Sequence, residues 1–278
     1  MELQQSPPYA RFVERLGWTV IRHKETNIFI RKFPIIGAFA KIQRVETLPA
    51  FDVLLPLLKK QRVRIVTIEP AQTVDTRTLT AWHTKLGSHF KLTKTPYLPT
   101  KTIIVDVTPE PEEIFRRFTE AKRRAVRRAI KNGVVCAESP DINAFIRLKN
   151  KSAGFLGSIT TTGLRELWQV FAPQRATILF AYHTKEMDKP IAGILLVFWE
   201  DTAYYWIAAA TKEGKKSFAP SLLVWEALKR AKNRGMKAFD FVGVWDDRHA
   251  RQNREWLGFT KFKEGFGGKA LYYPIASS

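Results

Sequence analysis

The sequence predicts a mixed α/β chain in which one arrangement of elements occurs twice. Two segments, 27–69 and 190–243, each show the order strand, strand, helix, strand. The strands are indicated by alternating or β-branched apolar runs, and the helices by apolar residues at intervals of three and four. Hydrophobic residues make up 45% of the chain, with eight Trp and nineteen Phe, which is enough for a large packed core and excludes disorder.

In the first half, the pattern predicts a hairpin followed by a helix, a strand and a second helix. The hairpin strands are expected at 27–32 and 38–45, with a turn at 34–37. The next three elements are expected at 51–60, 63–69 and 75–86. A β-branched run at 102–107 predicts a further strand, directly before the most basic part of the chain.

The second half predicts helices and strands around a second hairpin. Helices are expected at 142–150, 164–171 and 221–234. Strands are expected at 176–183, 191–199, 202–209, 238–243, 259–262 and 270–274. A hairpin that feeds a helix and a further strand, present in each half, matches the plan of the acyl-CoA N-acyltransferases (GNAT-like). We therefore predict an α/β (α+β) fold of two GNAT-like subdomains, 1–107 and 108–278, with mixed sheets flanked by helices.

The segment 115–131, FRRFTEAKRRAVRRAIK, is the most informative part of the chain. Eight of its seventeen residues are Arg or Lys, and only Glu120 is acidic. The spacing predicts one helix within 112–131, with Thr108 as its N-cap and Gly133 as its C-terminal stop. This helix would pack through apolar residues three or four positions apart: Ile114, Phe118, Ala121, Ala125 and Ala129.

The remaining faces of this helix carry a dense positive charge, mainly from Arg123, Arg124, Arg127 and Arg128. Like charges at this density repel one another, and a polyanion would offset that repulsion. A solvated basic face is the plain alternative. The whole chain favours the polyanion, because 46 basic residues stand against 26 acidic ones, with a net charge of +20. We therefore expect a phosphate-rich partner: nucleic acid, anionic lipid or a phosphorylated metabolite.

Several classes of chemistry find no support in the sequence. Cys136 is the only cysteine, so no intramolecular disulfide can form, and its apolar surroundings at 134–137 predict a core residue. The five histidines lack metal-ligand spacing, and neither a nucleophile elbow nor a P-loop is present. The segment 212–217 precedes a helix but lacks the second glycine of an acyl-CoA pyrophosphate loop, so we interpret it as an exposed turn.

No segment predicts export or membrane crossing. Residues 1–12 lack the apolar core of a signal peptide. The longest apolar run, at 191–199, has nine residues and is far too short for a membrane span. We expect a cytoplasmic protein whose charge holds it loosely against the inner face of an anionic membrane.

An ordered set of short motifs resembles the FemABX transferases. The stretch 99–134, PTKTIIVDVTPEPEEIFRRFTEAKRRAVRRAIKNGV, is similar to the family signature T-x-x-x-D-L followed by K-x-R-x-x-I-R-x-A-x-x-x-G-V. Other blocks follow the family's order and spacing, at 16–18, 204–206, 218–220, 225–227, 239–243 and 261–268. The resemblance covers nearly the whole chain and implies two GNAT-like subdomains. No heptad segment is present, so we expect no coiled-coil insertion.

The resemblance implies an aminoacyltransferase for cell-wall cross-bridge formation. Such enzymes move an amino acid from aminoacyl-tRNA to the stem-peptide amine of a peptidoglycan precursor, which is either lipid-linked or UDP-linked. The aminoacyl ester is already activated, so no cofactor, metal or nucleotide hydrolysis is expected. The enzyme must hold the two substrates together, remove a proton from the amine and stabilise the tetrahedral oxyanion.

The resemblance also implies roles for individual residues. Lys263 would be the catalytic cation over the oxyanion, although a surface lysine in a turn is the plain alternative. Phe262 beside it would pack on the acceptor adenosine of the tRNA. Glu69, at a strand end, would accept the amine proton or hold the acceptor, unless its role is only structural. Arg22 and Arg165 would bind the phosphates of the precursor.

One departure from the family pattern concerns the acceptor. In the segment 159–163, Thr162 occupies the position where members acting on the UDP-linked precursor carry an arginine. This loss favours a lipid-linked acceptor. We expect a cleft between the two halves, lined by Arg22, Glu69, Tyr204 and Tyr205, to receive the phosphate and peptide of the precursor. The tRNA phosphates are expected to contact the basic helix, through Arg123, Arg124, Arg127 and Arg128.

Two other functions stay open on the sequence alone. One is a GNAT-type N-acyltransferase that uses acyl-CoA, and the incomplete phosphate loop argues against it. The other is a non-catalytic protein that binds tRNA or membrane, and the aromatic blocks and Lys263 argue against it.

Overall fold

The computed structural model describes residues 1–93, 95–153, 161–249 and 253–276. The chain divides into two compact units, one formed by Met1–Lys101 with Leu271–Ser278 and the other by Thr102–Ala270. The domain limits expected from the sequence, 1–107 and 108–278, stay a prediction. Of the helices in the described ranges, none has both the length and the apolar character that crossing a membrane requires.

In the described residues, the first unit contains one five-stranded sheet and three α-helices. The helices are α1 (Pro7–Arg15), α2 (Phe51–Lys60) and α3 (Thr76–Gly87). The strands are β1 (Thr19–His23), β2 (Thr26–Phe33), β3 (Gly37–Gln43), β4 (Val63–Glu69) and β5 (Lys91–Leu92). They lie in the order β1-β2-β3-β4-β5, antiparallel from β1 to β3 and parallel from β3 to β5.

The core of the first unit follows from the two periodicities of its elements. Ile28 and Ile30 of β2 are two residues apart, so they point to the same face of the sheet and are buried there. Leu54 and Leu58 of α2 are four residues apart, so they form one stripe of the helix and pack into the same cluster.

The second unit is built on a seven-stranded sheet, of which Lys101 and the last two residues of the final strand, Leu271 and Tyr272, are counted with the first unit. Its strands are β6 (Lys101–Asp106), β7 (Val134–Ser139), β8 (Ala176–His183), β9 (Ala192–Trp199), β10 (Thr202–Ala210), β11 (Ala238–Asp240) and β12 (Lys269–Tyr272). They lie in the order β12-β6-β11-β10-β9-β8-β7. The described helices are α4 (Pro111–Arg116), α5 (Glu120–Lys131), α6 (Ile142–Ala153), α7 (Leu164–Phe171), α8 (Lys212–Lys216), α9 (Ala219–Asn233) and α10 (Leu257–Glu264).

The predicted duplication of architecture is confirmed. In the first unit, the antiparallel hairpin β2–β3 leads through α2 to β4, which lies parallel to β3. In the second, the antiparallel hairpin β9–β10 leads through α8 and α9 to β11, which lies parallel to β10. The helix expected at 221–234 lies within α9, which buries the apolar side chains at helical spacing: Leu223, Val224, Ala227, Leu228 and Ala231.

The prediction of one continuous basic helix is wrong. Helix α4 begins at Pro111 after the cap residue Glu110, and Thr108 instead donates its hydroxyl to Asp106. Helix α5 begins after Thr119, whose side chain accepts a hydrogen bond from the backbone N–H of Lys122. This second N-cap interrupts the helix, because its extended backbone cannot continue the turn of α4.

The break also changes which residues of α5 face the core. The buried residues are Val126 and Ala129, whereas Ala121 is exposed and Ala125 is half-buried. The expected stripe through Ala121 and Ala125 is therefore wrong for this helix. The expected stop is confirmed, since Gly133 follows the helix with φ +72°, a conformation that glycine adopts without a side-chain clash.

Two other predicted elements differ. The segment 259–262, expected as a strand, lies within α10, whose buried residues Thr260 and Lys263 are three positions apart, as on one face of a helix. The strand expected at 238–243 ends at Asp240.

Five of the α-helices and strands in the described residues have no counterpart among the predictions: α1, β1, β5, β7 and α8. The interpretation of 212–217 as an exposed turn is therefore wrong, because Thr211 caps a short helix there by accepting a hydrogen bond from the N–H of Gly214.

Candidate active site

The second unit holds Lys263 in a buried position. Lys263 lies in the last turn of α10 and is 9% exposed. Its ammonium donates hydrogen bonds to the carbonyl oxygens of Phe241 at 2.8 Å and Gly243 at 2.6 Å. An ammonium has three N–H groups, so one remains after these two contacts. The plain alternative of an exposed lysine in a turn does not fit this geometry.

The two carbonyls that hold Lys263 flank a strained residue. Val242 has φ +66°, in the left-handed region that β-branched residues rarely adopt. Its N–H donates to Asp240 Oδ1 at 2.6 Å, which fixes the turn at the end of β11. Asp240 also accepts a hydrogen bond from the hydroxyl of Thr102 on β6. Strain of this kind costs about 1–3 kcal/mol and is found preferentially at functional sites.

Burial sets the acidity of the Lys263 ammonium. Removal from water lowers the pKa of Lys263 to about 8, and the negative charge of Asp240 opposes this shift. The side chain is therefore mostly charged at pH 7 and loses its proton within the range in which many enzymes work. Two aromatic rings also lie near the ammonium, with centroids 4.9 Å away for Phe259 and 5.6 Å away for Tyr205.

Tyr205 and Phe262 connect Lys263 to a cavity of about 440 Å³. The wall is formed mainly by small and apolar side chains, with two lysines: Lys149, Ser152, Ala153, Gly193, Ile194, Tyr205, Ala208, Ala209, Ala210, Lys215, Pro220, Leu223 and Phe262. Lys149 donates to the carbonyl of Ala208 at 3.2 Å. Burial and the nearby charge of Lys215 lower the pKa of Lys149.

Lys122 is a candidate functional residue that sequence reasoning missed. Its ammonium lies 3.9 Å from the centroid of the Phe262 ring and 5.4 Å from that of Phe266. Burial lowers the pKa of Lys122 to about 8. Only part of the signal was present in the sequence: positions 122, 126 and 129 have helical spacing, but the structure is needed to show that the helix begins after Thr119 and turns them inward.

The four arginines predicted to contact phosphate divide into two kinds. Arg123 is half-buried and donates to the carbonyls of Arg116 and Phe118, so it satisfies the end of α4. Arg124, Arg127 and Arg128 are exposed. Arg124 pairs with Glu120 at 3.6 Å, an exposed contact that contributes little to stability. Three of the four guanidinium groups are thus at the surface, and their contact with phosphate stays a prediction.

The structure separates Tyr204 from Tyr205. They are successive residues of β10, so their side chains point to opposite faces of the sheet. Tyr205 lines the cavity and packs against Phe241 with 5.5 Å between ring centroids, whereas Tyr204 is absent from the cavity wall. Arg165, in the first turn of α7, and Thr162 before it are both exposed. Ile159 and Thr160 of the same motif lie outside the described residues.

Arg22 and Glu69 lie in the first unit, each with local partners. Arg22 donates to the carbonyl of Gln5 and to Asn27 Oδ1, both at 2.9 Å. The buried carboxylate of Glu69 accepts from the backbone N–H groups at 97 and 98, both at 2.6 Å, and from Gln43 Nε2 at 2.5 Å. A cleft that joins these two residues to the tyrosines stays a prediction.

Comparison with known proteins supports the fold. Residues 115–255 match the family described as acetyltransferase (GNAT) domain. The crystal structure of FemX superposes with a TM-score of 0.74 at 17% identity, over 98% of this chain and 90% of that one. A C-terminal domain (DUF2156) assigned to a lysylphosphatidylglycerol synthetase from Agrobacterium fabrum gives 0.64 at 13% identity, over 98% and 87%. A tandem GNAT protein from the clavulanic acid biosynthesis pathway gives 0.55 at 12% identity, over 91% and 80%.

A search of curated proteins found no match. At identities below a fifth, the structural neighbours establish the fold, and the expected FemABX-like GNAT fold is confirmed at that level. The family match spans half of the sequence, including the basic helix α5 and the β9–β10 hairpin. This chain belongs to the acetyltransferase (GNAT) domain family, with a FemX-like fold.

Proposed function

We propose that this protein is an aminoacyltransferase that moves an amino acid from aminoacyl-tRNA to the stem-peptide amine of a peptidoglycan precursor. The observation that carries the proposal is Lys263, a buried ammonium held by two carbonyls, with a hydrogen-bond donor left over and a cavity behind its aromatic neighbours. A buried, oriented cation is suited to an oxyanion, because low polarity strengthens its field and its position costs no reorganisation.

In the proposed reaction, the acceptor amine attacks the carbonyl carbon of the aminoacyl ester. The carbonyl oxygen becomes an oxyanion, which the Lys263 ammonium stabilises. Collapse of this intermediate forms the amide bond and breaks the ester bond. The proton that the amine loses is the one that the departing ribose hydroxyl gains. Glu69 already accepts three hydrogen bonds. We therefore infer that it positions the backbone at 97–98 and does not accept this proton.

The donor is assigned to tRNA because of the exposed charge on α5. Arg124, Arg127 and Arg128 present three guanidinium groups on one short helix, and Thr119 at its start donates its N–H to the carbonyl of Gly265 at 2.9 Å. The helix that would hold the tRNA backbone is thus bonded to the segment directly after Lys263. A donor with a long phosphate backbone can use both features at once.

An acyl-CoA donor is less well supported. A pyrophosphate needs free backbone N–H groups before α9, and four N–H groups in that segment already donate within it. Gly214 donates to the Thr211 hydroxyl, and the others donate to carbonyls: Lys215 to Thr211, Ser217 to Glu213, and Phe218 to Lys215. The next helix residue after Ala219 is Pro220, which has no N–H to offer.

A second candidate changes the acceptor and keeps the donor. One structural neighbour is assigned as a lysylphosphatidylglycerol synthetase, and its domain superposes over 98% of this chain. Transfer of an amino acid to phosphatidylglycerol would use the same cation and the same tRNA surface, with a lipid hydroxyl as the nucleophile.

Mass spectrometry of the acceptor tests both candidates. The protein is incubated with a mixture of charged tRNAs and, in parallel, with a lipid-linked muropeptide, a UDP-linked muropeptide or phosphatidylglycerol vesicles. We expect the muropeptide to gain the mass of one aminoacyl residue, and the gain to vanish when the tRNA is deacylated. Gain only on phosphatidylglycerol would establish the second candidate. Acyl transfer from acyl-CoA without tRNA, or no product in any arm, would overturn the proposal.

A further inference from the structure

The turn between β2 and β3 exposes a compact group of apolar side chains. Phe33 is 41% exposed, Ile36 is 67% exposed and Ile35 is fully exposed. Single exposed hydrophobic residues are ordinary, but three within four positions at the tip of a hairpin form a patch that water disfavours. The first unit buries its other isoleucines on these two strands, Ile28, Ile30 and Ile42, so the tip is not simply an extension of its core.

The backbone at this tip is held in an unfavourable conformation. The N–H of Ile36 donates to the carbonyl of Pro34 at 2.8 Å, and Ile35 between them has φ +73°. This is a γ-turn with a positive φ at its centre, which is rare and strained. A β-branched residue is among the least suited to that position, whereas glycine or asparagine would relieve it. The turn therefore projects an isoleucine into solvent at a cost in stability, and costs of this kind are typical of functional sites.

Cations surround the apolar tip. Arg31 and Lys32 precede Phe33 on β2, and both are exposed. Across the tip, the N–H of Ala38 donates to the carbonyl of Arg62 at 3.0 Å, so the start of β4 lies beside the turn. Arg62 and Arg64 are exposed there. The segments 26–45 and 53–68, which contain this hairpin and the approach to β4, have no Asp or Glu.

We propose that this hairpin tip, Phe33 to Gly37 with its four flanking cations, is a membrane-docking element that inserts into the surface of an anionic bilayer. The aliphatic tip would enter the acyl boundary while Arg31, Lys32, Arg62 and Arg64 meet the headgroup phosphates. An RNA backbone would satisfy these cations but leave Ile35 and Ile36 in water. A bilayer satisfies both features, and its fluid surface requires no complementary shape.

Docking of this kind is weak and reversible. The inserted area is small, so binding needs both the apolar tip and the charge, and salt weakens it. The inference goes beyond the proposed transfer reaction and does not rest on it, since vesicle binding is measured without any transfer substrate.

Site-specific labelling tests the proposal on the full chain. Burial raises the pKa of the Cys136 thiol to about 12, so this single native cysteine reacts slowly, and an Ile35→Cys variant can be labelled with an environment-sensitive fluorophore. We expect a blue shift with phosphatidylglycerol-containing vesicles and quenching by brominated acyl chains. The matched control is Met187→Cys, which replaces another exposed apolar side chain and should show neither effect.

Co-sedimentation with vesicles gives the second measurement. The combined substitution Phe33→Ser, Ile35→Asn and Ile36→Ser should lower partitioning to anionic vesicles by about tenfold or more. Asparagine accepts the left-handed backbone at position 35, so the fold is retained, as circular dichroism would verify. Replacement of Arg31, Lys32, Arg62 and Arg64 by Gln should weaken binding and reduce its salt dependence.

Several outcomes would overturn the proposal. Vesicle binding by the tip variant equal to that of the parent would mean that charge elsewhere holds the protein. A label at position 35 that stays in water while the protein sediments with the vesicles would likewise mean that the tip is not the part that binds. A blue shift without vesicles would identify a second copy of the chain as the occupant. A shift caused by tRNA alone would identify a nucleic-acid surface.

Discussion

The second unit carries positive charge in two contrasting settings. On α5, Arg124, Arg127 and Arg128 are exposed to solvent. On α10, Lys263 is 9% exposed, and two carbonyls fix its ammonium. Water and salt screen an exposed charge, so each such charge interacts weakly with a ligand. Several of them together contribute mainly to the affinity for a charged partner. A buried charge acts on one place with little screening, so it can contribute to the rate of a reaction.

The largest effect is expected from removal of the buried charge. Lys263→Met should reduce kcat by about 100- to 1000-fold, because a preorganised oxyanion contact is lost, while the affinities for tRNA and acceptor change little. Lys263→Arg should rescue only part of the rate, since a guanidinium places its charge differently. Lys261→Met, on the exposed face of the same helix, is the control.

Single-turnover and binding measurements check this prediction. A rise in KM with an unchanged kcat would mean that Lys263 is a substrate anchor. Normal turnover by Lys263→Met would remove the catalytic assignment altogether.

The second effect is expected at the surface of α5. Charge reversal of Arg124 and Arg128 should weaken tRNA binding, and each lost phosphate contact should reduce the slope of log affinity against log salt by roughly 0.7–0.9. The rate at saturating tRNA should stay close to that of the parent. Arg77→Glu, an exposed arginine of α3, is the control. An unchanged salt slope in the double variant would contradict a phosphate contact at these positions.

Arg123 provides a contrast within the same helix. Because it satisfies the carbonyls of Arg116 and Phe118, Arg123→Gln should lower stability, by about 1–3 kcal/mol, more than it lowers tRNA affinity. Urea unfolding and a tRNA-binding curve on the same variant separate the two effects. A loss of affinity with no loss of stability would return Arg123 to the phosphate-binding set.

These contrasts show what the sequence could and could not reveal. The repeated hairpin, helix and parallel strand were predictable, because apolar runs and helical spacing report burial directly. The break at Thr119 was not, since local periodicity continues across it and only the N-cap bond identifies a second helix start. For α10 the buried face is polar, with Thr260 and Lys263 inward, so a search for apolar periodicity could not find it.

Site residues divide along the same line. The motifs predict Lys263 and Phe262 as site residues by type and position, and the fold shows what no motif contains: the two carbonyls that hold Lys263, the strained Val242 and the buried Asp240. The hydrogen bonds that the backbone N–H groups at 97 and 98 donate to Glu69 join residues almost thirty positions apart, which no local pattern encodes.

The third effect is expected in the pH dependence. Asp240 raises the pKa of Lys263 against the effect of burial, and the proposed reaction needs the charged ammonium. The activity of the parent protein should therefore fall as the pH rises through about 8.

Asp240→Asn removes the negative charge, so the pKa of Lys263 should decrease and the alkaline fall in kcat/KM should move to lower pH. Thr102→Val, which keeps the carboxylate, should leave the position of this fall unchanged. A pH profile of Asp240→Asn that matches the parent would show that a different group sets the alkaline limb.

The smallest effect is expected at Lys122, whose exposure is intermediate between that of the exposed α5 arginines and that of Lys263. It is half-buried on α5, and its ammonium lies over the ring of Phe262 in the cavity wall. The aliphatic part of the Lys122 side chain covers Gly265 so closely that a Cβ at position 265 would come within 2.6 Å of Lys122 Cγ.

Lys122→Met keeps this aliphatic part and removes the charge, so it should lose only the cation–π contact with Phe262, which corresponds to a loss of about three- to thirtyfold in kcat/KM. The loss should fall mainly on KM, because Phe262 is proposed to bind substrate and not to stabilise the oxyanion. Lys131→Met, at the exposed end of the same helix, should behave as the parent. A loss confined to kcat and as large as that of Lys263→Met would instead make Lys122 a second catalytic cation.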